Sequence, residues 1–178
     1  MEPFKQLTQE SLEKLLDAPA LVTILIGASD NNLDGEERTW SEKLLRARSF
    51  SGRPELQDYY RVVAESFWVK LQHELNSLPV DVSKRNEEIK RRLSELNPIL
   101  SSLDHKIAYL IYKGLIGLAE ETAKASGGFL RIGAVSTPEY EWVKLPMIKA
   151  IAQPKDFSPD DPDRFDANIW GEKPEEQP

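Results

Sequence analysis

The sequence contains no cysteine, and it has only two histidines and two methionines among its 178 residues. Without cysteine there are no disulfide bonds, thiolate zinc sites or cysteine nucleophiles, which fits a reducing compartment. His73 and His105 do not form an HExxH motif, so we interpret His73 as a surface residue and His105 as part of a helix start. No G-x-S-x-G motif and no glycine-rich phosphate loop after a strand occurs. We therefore expect a protein that is not an enzyme.

Basic residues are also in the minority. The chain has 23 lysines and arginines against 30 aspartates and glutamates, a net charge of −7. This balance argues against nucleic-acid binding, which needs clustered basic residues to contact phosphates. The densest basic run, Lys90-Arg91-Arg92, is flanked by Glu87, Glu88 and Glu95. We interpret it as a solvated helix face with ion pairs between neighbouring turns.

Long hydrophobic runs are missing as well. The longest apolar stretches, Ala18–Ala28 and Ile107–Ala119, are interrupted by polar residues or glycine and are too short to span a bilayer. The first residues lack the basic and apolar regions of a signal peptide. We expect no membrane insertion and a cytoplasmic location.

Helical periodicity is what the sequence does contain. Apolar residues recur at steps of three and four, most clearly over Pro54–Leu78. Other helices are predicted at residues 8–17, 20–28, 36–50, 81–96, 107–126 and 137–151. Pro19 is expected in the first turn of the second helix, Pro98 at a kink or restart, and Pro146 at a bend. Residues 20–28 could also form a strand, but nothing nearby offers it a partner strand.

These patterns predict an all-α fold, a compact bundle of about six to eight helices without a sheet.

The composition changes at Pro154. Residues 154–178 are rich in proline and contain eight acidic but only three basic residues, so they carry most of the net negative charge. We predict a helical domain over residues 1–153 and an acidic, largely irregular tail over residues 154–178. Four apolar residues of the tail could still dock on the core: Phe157, Phe165, Ile169 and Trp170.

The strongest candidate site is the segment Asp30-Asn31-Asn32-Leu33-Asp34-Gly35-Glu36-Glu37 between two predicted helices. It begins with D-x-N-x-D-G, the opening of a calcium-binding EF-hand loop, in which alternate oxygens converge on one cation. The twelfth position of the loop is Ser41 rather than glutamate, so the segment is not an EF-hand. The alternative is that Asp30 or Asp34 only caps the following helix.

A second segment has a similar pattern. Ala119–Glu141 contains the end of an apolar helix, a small polar turn and an acidic helix start at Ser136-Thr137-Pro138-Glu139, which indicates a weak internal duplication. The pair GASDNNLDGEE and AKASGGFLRIGAVSTPEYE resembles the TerB-like domains of tellurite-resistance proteins, over roughly Ala18–Ala152.

The resemblance implies two pseudo-repeated helical units, divalent-metal binding by acidic residues at the loop junctions, and a link to bacterial stress or tellurite resistance. Asp30, Asp34 and Glu37 match the acidic positions of the first half, and Glu139 or Glu141 matches those of the second. Ser126-Gly127-Gly128 departs from the pattern, because some members have Asp-Gly there. The predicted ligands of Ca²⁺ or Mg²⁺ are Asp30, Asn32, Asp34, Glu37, Glu139 and Glu141.

Two other functions stay open. The chain could be a structural domain that binds a protein partner, with its acidic loops acting only as helix caps. It could also be a hydrolase that uses clustered carboxylates and a metal ion, although no such cluster appears outside the two loops. We rank metal binding first, protein interaction second and hydrolysis third.

Overall fold

The computed structural model describes residues 1–27, 35–51, 53–125 and 142–155. Within these ranges the chain is helical and contains no strand, which confirms the predicted all-α bundle. A short 3-10 turn at Glu2–Phe4 precedes six α-helices: α1 Gln9–Gly27, α2 Gly35–Ser51, α3 Pro54–Ser77, α4 Val82–Ser94, α5 Leu96–Ser102 and α6 His105–Ala125. The predicted pseudo-repeat of two helical units stays a prediction.

Helix α1 corrects the expected break at Pro19. The helix is continuous across this proline, although Pro19 cannot donate an N–H to the carbonyl of Leu15 one turn earlier. The hydroxyl of Tyr59, from α3, donates to that Leu15 oxygen at 2.9 Å. Thr23 Oγ1 donates to the Pro19 oxygen at 2.9 Å in the next turn. A residue from another helix therefore replaces the hydrogen bond that proline removes.

Helices α2 and α3 lie close to their predicted positions. Pro54 begins α3, where its missing N–H costs nothing. The predicted apolar stripe of α3 is buried at Leu56, Tyr60, Val63, Phe67 and Leu71. This periodic stripe explains why α3 packs extensively against both α1 and α2.

The predicted charged helix over residues 81–96 is observed as α4, Val82–Ser94, and α5 starts at Leu96. Asp81 caps α4 by accepting the Lys84 N–H at 3.0 Å. Pro98 lies within the first turn of α5, so the chain restarts here, as the sequence predicted.

Helix α6, predicted over residues 107–126, packs against α1, α2 and α5. Its start is capped by Asp104, whose Oδ1 accepts the N–H groups of Lys106 and Ile107. Helices α1, α2, α3 and α6 form the main packing unit, and α4 and α5 lie against α1 at its side. One hydrophobic cluster runs from Phe4 to Ile148. Among the described helices, none is long and apolar enough to span a membrane.

The predicted last helix is wrong over its described part. Helical geometry ends at Val143, and turns and extended chain follow to Lys155. Pro146 accounts for this end, because a proline disfavours helical geometry in the residue before it. That residue, Leu145, has a φ of 46° and is completely buried.

Candidate functional site

Most of the predicted metal ligands fall outside the described residues. Asp30, Asn32, Asp34, Glu139 and Glu141 lie in residues 28–34 and 126–141, which are not described. Glu37 lies in the first turn of α2, where the backbone is described. Three described helices border these segments: α1 and α2 on either side of the first, and α6 before the second.

The start of α2 and the end of α6 lie side by side. Ser41 Oγ and Thr122 Oγ1 are 3.2 Å apart, and both residues are fully buried. Thr122 Oγ1 also donates to the Leu118 oxygen at 2.8 Å, so Ser41 supplies the proton of the hydroxyl pair. Since α1 ends at Gly27, before the first segment, and α6 ends at Ala125, before the second, both segments leave helices that pack together.

Two glutamates lie near the end of α6. Glu120 is exposed, whereas Glu121 is 9% exposed and pairs with Lys124 at 2.6 Å. A carboxylate near a helix C-terminus opposes the helix dipole, and Lys124 offsets that repulsion. The described part of the chain contains no group of three or more acidic or histidine side chains that could hold a metal ion. A cation site at this end therefore needs side chains from residues 28–34 and 126–141.

A buried arginine lies deeper between the helices. Arg48 lies in the last turn of α2, and its side chain is buried. Its Nη1 donates to the Gly114 oxygen at 2.8 Å, and its guanidinium carbon is 5.5 Å from the centroid of the Tyr60 ring. This cation–π contact joins α2 to α3.

Two glycines of α6 create the space for this arginine. A Cβ atom at Gly114 would lie 2.1 Å from Tyr60 Oη, and one at Gly117 would lie 2.9 Å from Arg48 Nη2. The remaining gap beside Arg48 does not have room for a water molecule. We therefore interpret the arginine as a packing element rather than a ligand site. The glycine pair, three residues apart in an apolar helix, was the only sequence signal for it.

Ion pairs join α1, α3 and α4. Glu74 is almost fully buried and makes two hydrogen bonds with Arg92, at 2.5 and 2.6 Å, and these raise the pKa of Arg92. Lys70 bonds Asp17 at 2.6 Å and Glu13 at 3.0 Å. Because each of these groups has an opposite charge within hydrogen-bond distance, we assign the network to stability rather than to proton transfer.

The basic run at residues 90–92 is only partly the solvated face that the sequence predicted. Arg91 pairs with Glu88 and Glu95, one turn away on either side, as expected. Arg92 instead reaches the buried Glu74. Lys90 Nζ lies 3.5 Å from the centroid of the Trp142 ring. The spacing of the run did not reveal these two partners, because both belong to other elements.

Helix α3 has two large apolar side chains on its outer face. Trp68 is 40% exposed and Val69 is 70% exposed. His73, one turn further, is exposed, as the sequence predicted.

Comparisons with family models, with curated proteins and with solved structures find no match to this chain. The resemblance to TerB-like domains therefore stays a prediction that rests on two short sequence segments. The described residues show an all-α bundle that contains a buried arginine and a network of ion pairs between helices.

Proposed function

We propose that this chain is a non-enzymatic helical module that binds a divalent cation, Ca²⁺ or Mg²⁺, through its two acidic segments. The observation that carries the proposal is the buried hydroxyl contact between Ser41 and Thr122. It joins the helix that follows residues 28–34 to the helix that precedes residues 126–141. The end of the first segment and the start of the second therefore adjoin helices that lie side by side.

The residue types of the two segments suit a hard cation. The first segment supplies Asp30, Asn32 and Asp34, and the second supplies Glu139 and Glu141. Carboxylates close together repel one another, and a cation between them removes this cost. Ca²⁺ and Mg²⁺ prefer such oxygen ligands, and a cation that binds only the folded chain stabilises it.

The TerB-like resemblance supports the same proposal from the sequence. It suggests a role in a bacterial stress response of the tellurite-resistance type. In that role the module would bind a protein partner rather than convert a substrate.

A second candidate is an interaction domain without metal. The exposure of Trp68 and Val69 on α3 favours it, because tryptophan is enriched at protein interfaces. In this case Asp30 or Asp34 only caps α2. Metal titration separates the two candidates.

The test compares two aspartates in the full chain. Asp34→Ala removes a proposed metal ligand, and Asp81→Ala removes a side chain that caps α4. We expect millimolar Ca²⁺ or Mg²⁺ to release or absorb heat and to raise the melting temperature of the parent chain. Asp34→Ala should abolish this rise. Asp81→Ala should cost about 1 kcal/mol with or without metal and should keep the rise.

Two results would reject metal binding. One is the absence of both heat and a thermal shift with Ca²⁺, Mg²⁺ and Mn²⁺. The other is an Asp34→Ala variant that loses about 1 kcal/mol equally with and without metal, as a simple cap would. Either result would leave the interaction domain as the function.

A further inference from the structure

The outer face of helix α3 is centred on Val69, whose side chain is 70% exposed. Residues three and four positions away lie on the same face of a helix. Around Val69 these positions are held by the exposed Glu65, Gln72 and His73 and by the half-buried Ser66. We call these four residues, together with Val69, the Val69 face. It has one apolar residue at its centre and polar side chains toward both ends of the helix.

The polar side chains of the Val69 face can make further hydrogen bonds. In the part of the chain that the structure describes, the side chains of Glu65, Gln72 and His73 make no hydrogen bond or ion pair. Arg61, one turn before Glu65, bonds Asp58 instead. The Glu65 carboxylate is therefore left to accept donors from outside this helix.

The Val69 face is complementary to itself. In a symmetric dimer the same patch serves both subunits, so each contact between two residues forms twice. When two copies of α3 pack antiparallel across a two-fold axis at Val69, residues that precede Val69 in one copy face residues that follow it in the other. Glu65 of one copy then lies beside Gln72 and His73 of the second, whose amide and imidazole N–H groups can donate to its carboxylate. No two like charges of the face are opposed.

We propose that helix α3 forms the interface of a symmetric dimer, in which the Val69 faces of two copies of this chain pack antiparallel. The two Val69 side chains meet at the axis. Trp68 is 40% exposed and lies beside the face. The two-fold axis places both Trp68 rings at the same edge of the contact, where large aromatic rings exclude water effectively. A symmetric match about one residue is what a second copy requires and what a different partner does not.

The size of the face sets the strength of the dimer. Only Val69 and Trp68 contribute large exposed apolar side chains on α3. Small interfaces belong to weak complexes, so we expect a dissociation constant on the order of 10 µM to 1 mM. Dimerisation is separate from the proposed cation binding, because α3 carries none of the proposed ligands.

The first test is analytical ultracentrifugation of the full chain with a chelator present, from about 10 µM to about 1 mM. The parent should form a dimer that increases with concentration. Val69→Lys and Val69→Glu should each weaken it by at least about 10-fold, because like charges then meet at the axis. An equimolar mixture of the two variants should recover the dimer, because the charges are now opposite. The control is Val80→Lys, at a valine that is 88% exposed between α3 and α4, and it should leave the dimer unchanged.

The second test uses the absence of cysteine from the chain. Val69→Cys introduces a single thiol at the axis. Helix axes about 8–10 Å apart bring the two Cα atoms within about 6 Å, a distance that a disulfide bond spans. Mild oxidation should therefore cross-link Val69→Cys into a dimer under conditions that leave Val80→Cys largely monomeric. Cysteine is close to valine in size, so this test does not depend on the charged variants.

Three results would overturn the proposal. A parent chain that is monomeric up to about 1 mM excludes the dimer. A dimer that Val69→Lys leaves intact, or equal cross-linking of Val69→Cys and Val80→Cys, excludes the Val69 face as its interface. A dimer that both charged variants lose and their mixture does not recover excludes the two-fold arrangement about Val69.

Discussion

At the scale of single residues, Pro19 and Tyr59 show how a side chain from another helix supplies a hydrogen bond that a proline removes. Pro19 leaves the Leu15 oxygen without its usual donor, and the Tyr59 hydroxyl takes that position. Tyr59 is 2% exposed, and its burial raises the pKa of its hydroxyl well above the ordinary value. The hydroxyl therefore stays protonated and keeps its role as the donor.

Replacing Tyr59 tests the contribution of its hydrogen bond to the Leu15 oxygen. We expect Tyr59→Phe to lower the free energy of unfolding by about 1–3 kcal/mol, because the buried Leu15 oxygen loses its partner. In a Pro19→Ala background residue 19 regains an N–H that can bond Leu15, so the same change should cost about 1 kcal/mol less. Urea denaturation of the four chains gives this double-mutant cycle. Equal costs in both backgrounds would show that Tyr59 and Pro19 act independently.

Arg48 and Gly114 show the same dependence on distant partners. The arginine is buried because a glycine of another helix leaves space for it and offers a carbonyl. A larger residue at Gly114 would collide with Tyr60.

At the scale of elements, α4 is attached to the bundle by charged residues as well as apolar ones. Arg92 of α4 pairs with Glu74 of α3, and Glu95 at the end of α4 pairs with Lys14 of α1 at 3.0 Å. The two pairs differ in exposure. The Glu74 side chain is 2% exposed, whereas those of Lys14 and Glu95 are 37% and 32% exposed.

This difference predicts unequal effects of mutation. Arg92→Met leaves the buried Glu74 carboxylate without its partner and should cost about 3 kcal/mol. Lys14→Met removes a more exposed pair and should cost less than about 1 kcal/mol. The combination Glu74→Leu with Arg92→Met should recover most of the loss, because an apolar pair has no charge to desolvate. Thermal and urea denaturation measure all three variants. Similar costs for Arg92→Met and Lys14→Met would contradict this account.

At the scale of the whole molecule, the described packing continues past the boundary that the composition predicted. The sequence predicted a boundary between residues 153 and 154, where the composition changes. Pro154 is buried and Lys155 is exposed, which moves the sensible truncation point beyond Lys155.

Deletion of residues 156–178 tests the independence of the tail. The deleted residues are rich in proline and acidic side chains, and we expect the helical domain to fold without them. The far-ultraviolet circular dichroism should stay that of a helical protein, and the melting temperature should change by less than about 4 °C, the shift that roughly 1 kcal/mol causes. A larger fall would show that Phe165 or Trp170 docks on the core. Replacing these two residues by serine in the full chain would then reproduce the fall.

The sequence by itself determined most of the described helices, because helix formation depends on neighbours three and four residues away. The stripe of α3, the restart near Pro98 and the ion pairs of Arg91 all follow from such local spacing. The alternating oxygens at Asp30, Asn32 and Asp34 are also a local pattern, and they led to the metal hypothesis without a structure.

The tertiary structure decided everything that depends on a buried polar group finding a distant partner. Tyr59 is 44 residues from Leu15, Arg92 is 18 residues from Glu74, and Ser41 is 81 residues from Thr122. Local periodicity cannot select these partners, because each becomes a neighbour only after the helices pack. The same reason applies to residues 142–155. Their sequence looked helical, but Pro146 and the backbone contacts of Asn97 favour turns and irregular chain against α5.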